Sequence, residues 1–216
     1  MLTNLDLIQK LKNDVLKSEE IEEALKKVPR EYFVPKELAD KAYEDFPLPI
    51  GYGQTISQPW TVVFMTEMLD VKKGQKILEV GAGSGWQAAL LGYLVGPEGK
   101  VYTVETYKEL VEFARKNISK VGLNNVEIIH GDGTLGLERE APFDRIIITA
   151  ATPKIPPPLE EQLKEGGKLV APVGNAFTQK MVLFEKTKLG LEPVREMGYF
   201  KFVPLVGRYG FRYRFY

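Results

Sequence analysis

The stretch KILEVGAGSGW, residues 76–86, constrains the fold of this chain more than any other. Ile77, Leu78 and Val80 favour a strand, and they run straight into a turn, Gly81–Gly85, with glycine at positions 81, 83 and 85. Glycine at alternate positions removes side chains where a backbone turns sharply or approaches a ligand closely. A strand that leaves through such a turn into a helix is followed naturally by a parallel strand, because the helix carries the chain back to the end from which it came. The sequence supplies those strands. Its pattern predicts strands over Lys76–Val80, Lys100–Glu105, Val126–His130, Arg145–Thr149, Lys168–Pro172 and Lys180–Lys186. Helices are predicted over Gln87–Val95, from about Lys108 to Val121, and around Leu159–Lys164. Strands and helices alternating in this way imply a doubly wound α/β core, a parallel sheet with helices on both faces.

Upstream, Leu5, Ile8, Leu11 and Val15 recur at helical spacing, and Ser18 before Glu19 and Glu20 caps a second short helix to about Lys27. Pro29, Pro35, Pro47 and Pro49 then break the chain repeatedly, so residues 29–57 are expected to cross a surface with one short helix near Lys36–Tyr43. Another helix then starts, with Ser57 or Gln58 at its cap, Pro59 in its first turn, and Val62, Val63, Met65, Met68 and Leu69 on its apolar face. The expected layout is one domain: a helical and loop segment (1–69), a binding core (70–187), and a C-terminal strand and tail (188–216). Lys plus Arg equals Asp plus Glu at 29 each, so no overall field draws the protein to nucleic acid or an acidic membrane. Absent cysteine excludes disulfides, thiolate catalysis and cysteine metal sites, and a single histidine, His130, makes a metal centre unexpected. The start lacks the apolar core of a signal peptide, and the chain has no run of about 18 apolar residues, which predicts a cytoplasmic protein, taken as a monomer.

Ligands of doubly wound sheets lie outside the carboxyl ends of the strands, which makes the glycine turn the first candidate site. The dinucleotide fingerprint places a third glycine five residues after the first, and that position is Trp86, so a nicotinamide ligand loses ground. A ligand without phosphates but with cationic groups suits Glu79, just ahead of the turn. Glu105 ends the next strand 24 residues after Gly81, where a carboxylate meets the two hydroxyls of a ribose. His130-Gly131-Asp132-Gly133 closes the third strand, placing Asp132 to accept from an adenine amino group, and Thr149 falls at the same carboxyl edge. The candidate cofactor residues are therefore Glu79, Gly81, Gly83, Gly85, Glu105, Asp132, Gly133 and Thr149. The form Glu-x-Gly-x-Gly-x-Gly resembles that of class I S-adenosylmethionine-dependent methyltransferases. That resemblance implies a Rossmann-like fold, with S-adenosyl-L-methionine as cofactor and S-adenosyl-L-homocysteine as product.

A more specific resemblance begins at PIGYGQTISQP, residues 49–59, and runs through LEVGAGSG (78–85), HGDG (130–133), APFD (141–144), IITAA (147–151), EGG (165–167) and FVPL (202–205). In this order the segments resemble the protein-L-isoaspartate (D-aspartate) O-methyltransferase family over residues about 30 to 206. Such an enzyme methylates the free α-carboxylate of L-isoaspartyl residues, and less well the β-carboxylate of D-aspartyl ones, in damaged proteins and peptides. The ester cyclises to a succinimide whose hydrolysis returns some normal aspartate. By position the resemblance assigns Ser57 to catalysis, Thr55, Ile56 and Val203 to the substrate, and Glu79, Gly81, Glu105 and Asp132 to the cofactor.

The chemistry fits that assignment independently. A carboxylate with a pKa near 4 is already an ionised nucleophile at neutral pH, so no general base is required. Ser57, at a helix start, suits orientation of a carboxylate beside amides that favour its charge, and suits plain capping equally well. Gly51 and Gly53, with Pro47 and Pro49, suggest a lid, and a strand around Val203 would pair with an extended substrate. The end, GRYGFRYRFY, looks unusual for the family. Alternating arginine with aromatics there predicts an edge strand or docked tail, aromatics inward and arginines outward, rather than a nucleic-acid contact. Three rival functions stay open at this point: a class I methyltransferase with a small-molecule or different protein substrate, a non-catalytic adenosyl-ligand module, and a nicotinamide oxidoreductase.

Overall fold

A computed structural model describes residues 2–211. It begins with α1 (Asn4–Lys12) and α2 (Glu19–Lys27), whose caps are the side chains of Thr3 and Ser18. Residues 29–57, expected to carry one short helix, instead form two 3-10 turns, Arg30–Phe33 and Lys36–Lys41, and a small hairpin of β1 (Leu48–Gly51) and β2 (Gln54–Ile56). β1 alternates buried and exposed over only four residues, too few to mark a strand in sequence, and proline is tolerated in it because the hairpin is all edge. The core continues with α3 (Pro59–Leu69), β3 (Lys76–Val80), α4 (Trp86–Val95), β4 (Lys100–Glu105), α5 (Lys108–Lys120), β5 (Val126–His130) and β6 (Phe143–Ile148). It ends with α6 (Pro157–Gln162), β7 (Leu163–Gly174), β8 (Gln179–Thr187) and β9 (Gly190–Phe200).

The seven-stranded sheet has the order β5-β4-β3-β6-β7-β8-β9. From β5 to β7 neighbours are parallel, whereas β8 runs antiparallel to β7 and β9 to β8, which corrects the expectation of a parallel sheet at that edge. The physical reason is connection length, because the links 175–178 and 188–189 are too short for a crossover helix and the chain can only reverse. The C-terminal strand also lies earlier than foreseen: β9 stops at Phe200, and Val203 stands beyond it. None of its residues is fully buried, and Leu191, Met197 and Phe200 alone pack on the core, too sparse a pattern for period-two alternation to mark β9.

Period-two alternation divides the core into two layers. Ile77, Val101, Ile128, Ile147 and Val170 pack with α1 to α5, while Leu78, Val80, Tyr102, Val104, Ile146, Ile148 and Leu169 pack on the opposite face with Leu159 of α6. Each such side chain stabilises the fold by about 1.5–3 kcal/mol through burial. Strand order reverses between β3 and β6, and this is where a doubly wound sheet opens a crevice at its carboxyl ends. Among the described residues no helix is long and apolar enough to cross a membrane.

Candidate active site

At that reversal a cleft is lined by Glu79–Ser84, Glu105, Gly133, Thr149, Gln54–Ser57 and Val203–Val206. Gly81 has φ +100, and a Cβ on it would sit 2.5 Å from Thr149 Oγ1, so only glycine fits. The Thr149 hydroxyl lies 2.9 Å from Val80 O and 2.6 Å from Gly81 O, and it braces the turn from the end of β6. Glu105 holds the turn from the other side. Its Oε2 accepts from Gly83 N–H at 2.9 Å and its Oε1 from Tyr107 N–H at 3.0 Å, which leaves each oxygen a further lone pair for a ligand hydroxyl. Gly133 lines the cleft, but Asp132 is turned to its own chain. Asp132 Oδ1 accepts from Thr134 N–H (2.9 Å) and Thr134 O–H (2.7 Å), and Oδ2 from Arg208 N–H (2.7 Å).

Strand alternation places Glu79 on the same face as Ile77, beneath the turn, where it is fully buried. Neither carboxylate oxygen has a hydrogen-bond partner, nor has the hydroxyl of Thr103, its register neighbour on β4. Burial pushes this carboxyl up to about 8, and the charge of Glu105 adds to the rise. An orphaned buried carboxyl at a cleft wall suits a ligand bearing ammonium or sulfonium charge. That is the chemistry of the amino acid end of S-adenosylmethionine, so the residues present fit this cofactor.

Ser57 does not cap α3. Gln58 occupies the N-cap without a side-chain bond, and Ser57 Oγ has no hydrogen-bond partner among the described residues. Ser57 lines this cleft and also a second one walled by Pro47, Trp60 and Tyr199–Phe202; the two share Thr55, Ser57, Thr149 and Val203. Ile56 is buried and reaches only the first. The expected free amide at the helix start is partly lost, because Trp60 N–H donates to Asp45 Oδ1 at 2.9 Å. Val203 is not in a strand: its carbonyl accepts from Ala151 N–H, so that acceptor already pairs within the chain. The suggested lid is the β1–β2 turn, where Gly51 and Gly53 flank Tyr52, whose ring stacks on Tyr107 at 6.1 Å. His130 is exposed, with Nε2 3.1 Å from Thr106 O, and lines neither cleft. No metal-binding cluster of His, Cys, Asp or Glu exists among the described residues.

Sequence reasoning missed Arg30. Its buried guanidinium donates from Nη1 to Ala42 O (2.7 Å) and from Nη2 to Phe46 O (3.1 Å) and Ser57 O (3.0 Å), and it lies 5.3 Å from the ring centroid of Trp86. Trp86, the position that argued against a dinucleotide, opens α4 and donates from Nε1 to Val28 O at 3.1 Å. One cation thus ties the Ser57 loop to the helix that follows the glycine turn. Nothing local around Arg30 signals this, since its partners lie 12 to 27 residues away.

A doubly wound sheet with a three-glycine turn, an acid beneath it and a carboxylate at the next strand end defines a class I S-adenosylmethionine-dependent methyltransferase fold. The family profile described as Protein-L-isoaspartate(D-aspartate) O-methyltransferase matches residues 2–210. A protein-L-isoaspartate O-methyltransferase of Methanothrix thermoacetophila is 51% identical over 206 residues, covering 95% of this chain and 96% of its own. A solved protein-L-isoaspartate O-methyltransferase superposes with TM-score 0.87 at 30% identity, over 96% of this chain and 67% of that one. A Plasmodium falciparum structure of a protein-L-isoaspartate O-methyltransferase, in complex with S-adenosyl-L-homocysteine, gives TM-score 0.85 at 25% identity, over 95% and 99%. The chain belongs to the protein-L-isoaspartate(D-aspartate) O-methyltransferase family.

Proposed function

We propose that this enzyme methylates the free α-carboxylate of L-isoaspartyl residues, and less readily the β-carboxylate of D-aspartyl residues, in damaged proteins and peptides. The resulting ester closes to a succinimide, and hydrolysis returns part of it to aspartate. The observation that carries this reading is the meeting of two clefts at Ser57 and Thr55. When bound, S-adenosylmethionine supplies an electrophilic methyl group on a sulfonium. Glu105 would receive the ribose hydroxyls and Glu79 would face the cationic end, while Gly81 and Gly83 let the backbone come close and Gly85, outside the cleft, makes room for Ala114 of α5. Gly133 borders the adenine end, and Asp132, which does not line the cleft, holds the neighbouring Arg208 amide.

In the second cleft the Ser57 hydroxyl donates to one oxygen of the substrate carboxylate and leaves the other aimed at the methyl. Thr55, Ile56 and Val203 border the flanking peptide. The carboxylate is ionised at neutral pH, so the chain needs no general base; the lone, remote histidine accords with that. Holding the reactants in line contributes up to about 7–11 kcal/mol in favourable cases, and the Tyr52 hairpin helps exclude water. We take the enzyme to act in the cytoplasm as a monomer, without nucleic-acid or membrane partners, a reading supported by its balanced charge.

Incubation with methyl-labelled S-adenosylmethionine and matched aspartyl and isoaspartyl peptides tests the proposal. Base-labile label on the isoaspartyl peptide alone is the expected result; label on neither peptide points to another substrate. Ser57→Ala should lower kcat/KM about 10- to 100-fold, the loss of one hydrogen bond to a charged group, with S-adenosylhomocysteine affinity little changed.

A further inference from the structure

The chain beyond β9 crosses the carboxyl edge of the sheet and is tied down on both sides of the cofactor cleft. Ala151 N–H donates to Val203 O and Leu205 N–H to Ala151 O, each 2.8 Å, fixing this stretch past the end of β6. Farther on, Arg208 N–H donates to Asp132 Oδ2 at 2.7 Å and Tyr209 N–H to Thr134 Oγ1 at 3.2 Å, past the end of β5. In the sheet β3 and β4 stand between those two anchors, and their ends carry the glycine turn and Glu105. The distance is bridgeable because the Asp132 loop leans inward: a Cβ on Gly133 would lie 2.6 Å from Val80 Cγ1 of β3.

Val203–Val206, the first anchor and the residue that leads from it toward the second, line the cleft. The anchored end is itself a closed turn, since Gly210 N–H donates to Gly207 O (3.1 Å) and Phe211 N–H to Leu205 O (3.0 Å). Gly207, at φ +147, passes so near Asp132 that any Cβ would collide with its carboxylate. Asp132 is in turn held by both donors of Thr134. A terminal segment with two anchors, a closed turn and an obligatory glycine is built to stay in one place.

On the premise that the cleft holds S-adenosylmethionine, as proposed above, we infer that residues 203–211 form a strap that walls the cofactor in, with Asp132 as its latch. Asp132 thereby acts as a positioning residue: Ala151 holds the Val203 end of the wall, and Asp132, through the Arg208 amide, holds the Val206 end against the cleft. Releasing the latch frees that end, and the bound product then leaves faster.

The test measures S-adenosylhomocysteine binding and dissociation for the wild-type chain, a chain ending at Val206, and Gly207→Val. Both variants should release the ligand about tenfold faster, with association little changed. A purely structural role would lower the melting temperature of the ligand-free protein without altering the dissociation rate measured well below it. Asp132→Ala should cost less affinity in the chain ending at Val206 than in the full chain, because the shortened chain has no latch left to lose. Wild-type dissociation rates in folded truncated and Gly207→Val proteins, or an equal cost of Asp132→Ala in both chains, would overturn the strap. A wild-type protein that does not bind S-adenosylhomocysteine would instead overturn the cofactor assignment, and the strap with it.

Discussion

Glu79 is held without partners in the interior because a strand's alternation turns it inward at the one place where the turn above it has no side chains to offer. Its carboxyl, ordinarily near 4.5, is raised to about 8 by burial. Protonation is therefore tighter in the folded state than in the unfolded one. The associated stability is fully present below about pH 4.5 and is lost as pH rises through 8. The ligand-free protein should melt progressively lower from pH 5 to 8.5, and Glu79→Gln should flatten that fall, by on the order of a few kcal/mol at the alkaline end. Parallel pH profiles of the two proteins that slope identically would show the carboxyl to be ionised throughout. Glu79 and the glycines were legible as one contiguous strand-turn stretch, and Glu105 as the end of the strand that follows. That burial raises the Glu79 carboxyl, that Thr149 braces the turn and that Asp132 faces its own chain were not legible, since each depends on what other segments bring alongside.

At the scale of elements, the site depends on a loop that has little structure of its own. Residues 42–57 come after two 3-10 turns and contain only the β1–β2 hairpin, yet they must present Thr55 and Ser57 with fixed geometry. Arg30 provides the constraint by collecting carbonyls from Ala42, Phe46 and Ser57. Burial lowers its pKa to about 10, with Asp45 opposing the shift, so it remains a cation at neutral pH. Arg30→Met would strand those acceptors in the interior, at about 1–3 kcal/mol for each that stays dry. Urea denaturation should show a loss of several kcal/mol, and isoaspartyl methylation should fall further than S-adenosylhomocysteine affinity does. Equal losses in both would mean that Arg30 supports the fold without favouring the Ser57 loop. Helices and central strands were readable because periodicity and caps are local, whereas β1 and β2 are too short, and β9 too exposed, for alternation to mark them.

Across the whole molecule, the cofactor cleft draws its walls from the hairpin, the glycine turn, the ends of β4 and β6, the loop after β5 and the C-terminal strap. A ligand that touches all of them binds only the folded state, so it should stabilise the chain by mass action. At 100 times its dissociation constant, S-adenosylhomocysteine is expected to add about 2.7 kcal/mol, equivalent to roughly 5–11 °C in melting temperature for a domain of this size. A thermal-shift titration checks this, and the chain ending at Val206 should show a smaller shift at the same ligand concentration. The sequence by itself determined the α/β core, the glycine turn with an acid on the strand before it and on the strand after, and a chemistry free of thiols and paired histidines, because residue type and short-range spacing are sufficient for those. Only the tertiary structure decided the antiparallel edge, the meeting of two clefts at Ser57, the grip of Arg30 on that loop and the commitment of Asp132 to the C-terminal strap. Each of these is a contact between segments far apart along the chain, made where folding happens to bring a donor to an acceptor, and no local pattern encodes it.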